Sequence, residues 1–153
     1  MSKEKVALIT AGGSGMGAVA ARKLAADGYR IAVLSSSGKG EALAKELGGV
    51  GVTGSNLVND DVKRLVDLAM ERWGRIDAVV NNVGFARFAR IGSIELDHLF
   101  DTYDMNVRTA VQVVQAALPG MLAAGWGRIV NVTSLTTLGT PERTPYAAAT
   151  DRR

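Results

Sequence analysis

A doubly wound α/β fold, built on one parallel sheet, is what this 153-residue sequence predicts, and three observations predict it. Short apolar runs of strand length alternate with segments whose apolar residues recur at helical spacing. The runs are apolar throughout, as strands covered by helices on both faces must be. Glycine-rich turns separate the two kinds of segment. With right-handed crossovers, five such strands order themselves 3-2-1-4-5. The length suits a single domain over 1–153, and 47% apolar with 22% charged residues is the balance of a chain with a packed core.

Val6-Ala7-Leu8-Ile9 is the first strand. It runs into Ala11-Gly12-Gly13-Ser14-Gly15, after which Met16, Val19, Ala20 and Leu24 mark a helix that Gly28 ends. Ile31 to Leu34 is the second strand, and Glu41 to Leu47 a short helix stopped by Gly48-Gly49. Val50 to Thr53 reads as a third, weaker strand. Val62, Leu65, Val66, Ala69 and Trp73 form one helical stripe, followed by a fourth strand from Ile76 to Val80. A long helix is expected over about 97–124, with Tyr103, Val107, Ala110, Val111, Val114, Ala117, Leu118 and Met121 along one side. Pro119 should bend it, because proline removes a hydrogen bond and crowds the preceding turn. Ile129 to Val132 is the fifth strand. Tyr146-Ala147-Ala148-Ala149 opens a last helix, alanine being the best helix former.

One tetrapeptide occurs twice. Trp-Gly-Arg-Ile stands at 73–76 and at 126–129, each time where a helix hands over to a strand. The glycine is expected to end the helix in a left-handed conformation, with the tryptophan packed at the helix end.

Composition removes several function classes. The formal charge is +3 and the basic residues are dispersed, so nucleic-acid binding is not expected. No apolar run approaches the roughly 20 residues that span a bilayer. The opening MSKEKVALIT turns straight into a strand pattern and does not read as a signal peptide. There is no cysteine, hence no disulfide framework and no thiol chemistry. A cytoplasmic protein is the expectation. His98, the only histidine, lacks metal-ligand companions; a surface or capping role is expected for it, and no metal site.

The turn between the first strand and helix carries most information. Glycines let a backbone pass close to a pyrophosphate, and the following helix N-terminus offers free N–H groups to it. A tight structural turn is the other reading. The group that reads the adenosine ribose is expected about 20 residues on, which falls at Ser35, in Ser35-Ser36-Ser37-Gly38-Lys39. No acidic side chain stands there to hold the ribose hydroxyls of NAD. Three hydroxyls and a lysine suit a 2′-phosphate, so NADP(H) is expected over NAD(H); a solvated polar loop is the alternative.

Thr10-Ala11-Gly12-Gly13-Ser14-Gly15-Met16-Gly17 resembles the Thr-Gly-x-x-x-Gly-x-Gly motif of the short-chain dehydrogenases/reductases, with Ala11 at its first glycine. Asn81-Asn82-Val83-Gly84 is similar to the family's Asn-Asn-Ala-Gly, save for Val83. Asn106, in Tyr-Asp-Met-Asn-Val, sits where the family keeps an active-site asparagine. The stretch from Gly127 to Ser134 looks like its strand leading to the catalytic serine, and Tyr146 follows twelve positions later, close to the family's spacing. Asn56-Leu57 occupies the place of the Asp-Val that contacts adenine.

The resemblance implies a Rossmann-type, NAD(P)-dependent oxidoreductase moving hydride between nicotinamide and a small carbonyl compound or secondary alcohol. It implies cofactor contacts at Gly12, Ser14, Gly15, Met16, Gly17, Ser35, Ser36, Ser37, Asn56, Leu57, Asn82, Val83 and Gly84. Ser134 would orient the substrate oxygen, Tyr146 would be the acid/base, and Asn106 would support the proton relay. The family's lysine, four residues after the tyrosine, is Thr150 here. Weakened catalysis is therefore expected; a non-catalytic NADP-binding module or an inactive fragment is the alternative. The family's fold adds further strands and substrate-binding helices that the 153 residues do not reach. The fifth strand is accordingly expected to be an uncovered edge, inviting self-association.

Overall fold

The computed structural model describes residues 4–151. Its strands are β1 (Val6–Thr10), β2 (Arg30–Ser35), β3 (Val50–Thr53), β4 (Ala78–Asn81) and β5 (Arg128–Asn131). All are parallel, in the predicted order β3-β2-β1-β4-β5. The helices are α1 (Gly15–Ala26), α2 (Lys39–Glu46), α3 (Asn59–Trp73), α4 (Leu96–Tyr103), α5 (Thr109–Ala123) and α6 (Thr144–Thr150).

Successive strand residues point to opposite faces, and each face has its own core. Leu8, Leu34 and Val79 meet Val62 and Leu65 of α3 and Val113 and Met121 of α5. Ile9, Ile31, Val33 and Val80 meet Ala21 of α1 and Leu43 of α2. This two-sided cover is why the central strands carry no polar alternation. β4 starts two residues after the apolar run that announced it. Ile76 is buried just ahead of the ladder, and Asp77 anchors that approach: its N–H donates to Val6 O and its carboxylate accepts from Val6 N, each at 2.8 Å.

The expected long helix is three segments. Between α4 and α5 the backbone opens into a π turn, Asp104–Arg108, before α-helical bonding resumes and continues through Pro119 to Ala123. The inward face also differs from the predicted stripe. Thr102, Asn106, Thr109, Val113, Ala117 and Met121 are buried, whereas Tyr103, Val111 and Leu118 are exposed. The extra residue of the π turn rotates the face. The threonines tolerate burial because their hydroxyls donate back one turn, Thr102 to His98 O and Thr109 to Met105 O at 2.7 and 2.6 Å.

The second Trp-Gly-Arg-Ile corrects another expectation. Gly74 ends α3 at φ 69°, as predicted, but after α5 it is Gly125, at φ 62°, that turns left-handed, not Gly127. Trp126 lies past that turn on the surface, with the Arg128 guanidinium 3.8 Å from its ring centre. His98 is on the surface, its Nε2 3.3 Å from Glu95 Oε2. Among the described residues no helix is long and apolar enough to cross a membrane.

Candidate dinucleotide and catalytic site

The carboxyl ends of β1, β2 and β4 meet at the glycine turn. Ala11 and Gly15 have positive φ, 49° and 54°, so the chain leaves β1 and enters α1 through two left-handed residues. Gly12 and Gly17 are there for close approach. A Cβ on Gly12 would stand 2.8 Å from Val33 Cγ1, and one on Gly17 would stand 2.6 Å from Ala11 O. Gly15 differs: nothing lies within 4 Å of its missing side chain, so its backbone faces open space. Ser14 precedes α1 in an extended conformation without a side-chain cap bond, and it and Met16 are exposed beside that opening. The first N–H groups of α1 thus open onto the space a ligand would fill.

Asn82 locks the turn to β4. Its N–H donates to the Thr10 hydroxyl oxygen at 3.0 Å, and its Nδ2 donates to Thr10 O and Ala11 O, each at 3.3 Å. Val83 is buried behind it, and Gly84 is exposed. Thr10 is a residue whose role the sequence reading passed over; its hydroxyl couples β1 to the β4 loop.

At the end of β2 the three serines part company. Ser35 is buried, packed where Gly13 and Gly40 leave no room for a Cβ, and its hydroxyl accepts from Ser37 N at 3.4 Å. Ser36, Ser37 and Lys39 are exposed at the start of α2. The nearest carboxylate on α2, Glu41, is committed elsewhere, accepting from Thr53 N at 2.7 Å. After β3, Asn56 is buried and its Oδ1 has no donor, while Leu57 is half-buried with its N–H donating to Ser55 Oγ at 3.2 Å.

Two of the catalytic candidates, Asn106 and Tyr146, meet the loop after β4. Asn106 sits in the π turn, fully buried. Its Nδ2 donates to Phe85 O and Thr102 O at 2.6 and 2.7 Å, and its Oδ1 accepts from Phe85 N at 3.2 Å. The side chain is a clamp on residue 85. Beside Asn106, the Arg108 guanidinium holds the Asp104 carboxyl below its ordinary value through a 2.6 Å hydrogen bond. The Tyr146 hydroxyl lies against Gly84, 3.8 Å from where a Cβ there would be.

Ser134 follows β5, half-buried, with Oγ accepting from Thr136 N at 3.3 Å. Thr150 is buried in α6 and its hydroxyl donates to Tyr146 O at 2.8 Å. Nothing cationic is contributed at that position. The loop before α6 is pinned to the loop after β4: Arg90 Nε donates to Glu142 Oε1 at 2.8 Å, Ala89 N to Glu142 O at 2.9 Å, and Arg143 stacks 3.6 Å over Phe88. This brace, 52 residues apart in sequence, is what carries Tyr146 to Gly84.

The sequence model described as short chain dehydrogenase matches residues 5–150. A 3-oxoacyl-(acyl-carrier-protein) reductase FabG of Staphylococcus aureus is 31% identical over 156 aligned positions, covering 97% of this chain and 63% of the relative. A D-threitol dehydrogenase of Mycolicibacterium smegmatis is 35% identical over 152, covering 95% of this chain and 58% of the relative. The chain therefore spans about three fifths of the length of these relatives.

Proposed function

The chain belongs to the short chain dehydrogenase family, and on that premise we propose that it binds NADP(H) and moves hydride between the nicotinamide and a small carbonyl compound or secondary alcohol. The observation that carries the reading is the glycine turn locked on Asn82, open at Gly15. Gly12 and Gly17 hold the backbone where a pyrophosphate can lie, and the α1 N-terminus supplies N–H donors to it. Asn56 Oδ1, buried without a donor, suits the exocyclic amine of adenine. Ser36, Ser37 and Lys39 suit a 2′-phosphate, and the absence of a free carboxylate there favours NADP(H) over NAD(H). The cofactor, when bound, supplies the carbon that gives or takes hydride.

The protein's own groups handle the proton. Tyr146 gives its phenolic proton to a carbonyl oxygen or takes one from an alcohol. Ser134 Oγ already accepts from Thr136 N, which leaves its O–H to donate to the same substrate oxygen. Asn106 keeps the Phe85 backbone, and so the Gly84 wall, in place beneath the phenol. Thr150, neutral where the family's lysine stands, makes carbonyl reduction the favoured direction, since reduction uses the protonated phenol and oxidation the phenolate. That same neutrality supports a second reading, a dinucleotide-binding module without turnover. We further propose a cytoplasmic setting, consistent with the cysteine-free sequence, and self-association of the chain, consistent with the exposure of the β5 residues.

Calorimetric titration with NADPH and NADH in parallel tests the reading. Binding of NADPH at least about tenfold tighter than NADH, a difference of about 1.4 kcal/mol, is expected; no binding of either overturns it. Thr150→Lys then separates enzyme from module. A cation about 4 Å from the phenol, at an effective dielectric near 20, is worth about 4 kcal/mol. Alcohol oxidation should rise by up to roughly three orders of magnitude and carbonyl reduction far less. Binding with no turnover in either protein leaves the module reading.

A further inference from the structure

We infer that Glu142 is the positioning residue for Tyr146: its left-handed backbone, held by Arg90, sets the direction in which the chain runs into α6 and so keeps the phenol against Gly84. The inference rests on the reading of Tyr146 as the acid/base and adds the residue that aims it. Among the described residues only two that are not glycine have positive φ, Ala11 at 49° and Glu142 at 61°. Ala11 belongs to the glycine turn. Glu142 stands four residues before Tyr146, on the brace between the loop after β4 and α6. A left-handed residue with a Cβ is disfavoured, and it persists only where its surroundings over-determine it.

Here they do so through both backbone and side chain. Glu142 O accepts from Ala89 N at 2.9 Å, and Glu142 Oε1 accepts from Arg90 Nε at 2.8 Å. Arg143 follows in a parallel bridge with Ala89, its guanidinium 3.6 Å from the centre of the Phe88 ring. Arg143 O then takes the Ala147 N–H at 2.7 Å, so the residue after Glu142 already belongs to the bonding of α6. A return of Glu142 to the ordinary region near −60° is a rotation of about 120° just ahead of that helix. Asn106 grips the same loop at Phe85, through its N–H and its carbonyl. Asn106 therefore fixes the Gly84 wall, and Glu142 fixes the phenol that meets it.

The strain separates this role from that of an ordinary ion pair. Arg90→Ala removes the side-chain grip and leaves Glu142 strained, so the turn relaxes and the phenol leaves Gly84. Glycine takes positive φ without steric penalty. Glu142→Gly loses the carboxylate as well, yet it keeps the turn on the remaining contacts of Ala89 and Phe88. A plain ion pair would lose as much with glycine as with alanine.

The chain has three tyrosines, so labelling with 3-fluorotyrosine gives three fluorine resonances, and Tyr146→Phe assigns the one that matters. A Cβ on Gly84 would stand 3.8 Å from the Tyr146 hydroxyl, so Gly84→Ala should shift that resonance in the otherwise unaltered chain. The response should be lost in Arg90→Ala and in Glu142→Ala. It should persist in Glu142→Gly and return when Glu142→Gly is added to Arg90→Ala. Tyr29, packed against the core under α1 and α2, should keep its resonance throughout, showing that the fold is intact. Should Glu142→Ala fail to fold, Arg90→Ala, which alters no backbone preference at 142, decides alone. No response to Gly84→Ala in the parent overturns the inference. So does a response that survives Arg90→Ala, or an equal loss with glycine and alanine at 142. The measurement needs neither cofactor nor turnover. Calorimetric titration with NADPH, expected to give the same Kd for the parent, Arg90→Ala and Glu142→Ala, tests the cofactor reading apart from it: a parent that does not bind overturns that reading, while the fluorine response still decides what holds Tyr146.

Discussion

The same four residues, Trp-Gly-Arg-Ile, stand before β4 and before β5, and the sheet gives them opposite surroundings. Ile76 is 1% exposed and Ile129 44%. Trp73 packs against the core between α3 and the sheet, whereas Trp126 is on the surface. Arg75 donates to the Asp77 carboxylate through Nε and Nη2, at 2.8 and 2.5 Å; Arg128 stacks on its own tetrapeptide's tryptophan. What differs is the place in the sheet. β4 lies between β1 and β5, while among the described residues β5 pairs with β4 alone. A tetrapeptide carries the handover from helix to strand; how deeply its side chains are buried is decided by neighbours dozens of residues away.

Truncating the two isoleucines tests this most severely. Ile76→Ala empties a fully packed position and should cost about 2–5 kcal/mol of unfolding free energy. Ile129→Ala removes a side chain already half in water and should cost about 1 kcal/mol or less. Urea titrations of both variants measure the contrast. Equal costs would break the comparison. A cost at Ile129 that grows with protein concentration would sharpen it, tying burial of β5 to association.

The glycines separate the copies by mechanism rather than by depth. A Cβ on Gly127 would stand 2.5 Å from Met121 Sδ and 2.9 Å from Met121 Cβ, so Gly127→Ala should cost about 1–3 kcal/mol through overpacking. Gly74→Ala and Gly125→Ala meet no atoms but must hold alanine at positive φ, for about 1 kcal/mol each. Thermal denaturation of the three variants orders them. Were Gly127→Ala the mildest, Met121 would be yielding, and the second copy would be looser than its packing indicates.

These contrasts also mark what could be read without coordinates. The sheet order was legible because runs such as Val6 to Ile9 and Ile31 to Leu34 are apolar on both faces, a pattern that only a doubly covered parallel sheet explains. The glycine turn between β1 and α1 was legible because it lies within one short stretch of sequence. The π turn was not, since one extra residue per turn changes no composition; Asn106 in mid-helix was its only trace. Inward-facing Thr102 and Thr109 were missed because a hydroxyl bonded to its own helix behaves as an apolar group. That Ser35 packs into the space Gly13 and Gly40 leave had no local signal, since those glycines meet it only in the fold. Glu142 with Arg90 had no local signal at all.

The smallest effect lies at the opposite edge, where β3 shows how an end strand is finished. Thr53 N–H, which would otherwise face solvent or another chain, donates to Glu41 Oε1. That bond, above all, holds the Glu41 carboxyl below its ordinary value of 4.5, with Arg64 adding a lesser pull in the same direction. A carboxyl depressed in the folded state binds its proton more readily when unfolded, so it stabilises the fold above about pH 4.5 and loses that contribution as pH falls through the lower folded value. Glu41 is exposed, and the effect is correspondingly modest. Amide exchange at Thr53, followed from pH 6 to pH 3, should lose protection over that interval relative to the neighbouring β2 amides, and Glu41→Gln should flatten the profile. If Thr53 keeps its protection in acid, then α2 alone closes this edge, and the contrast with β5 rests on cover by a helix rather than on capped backbone groups.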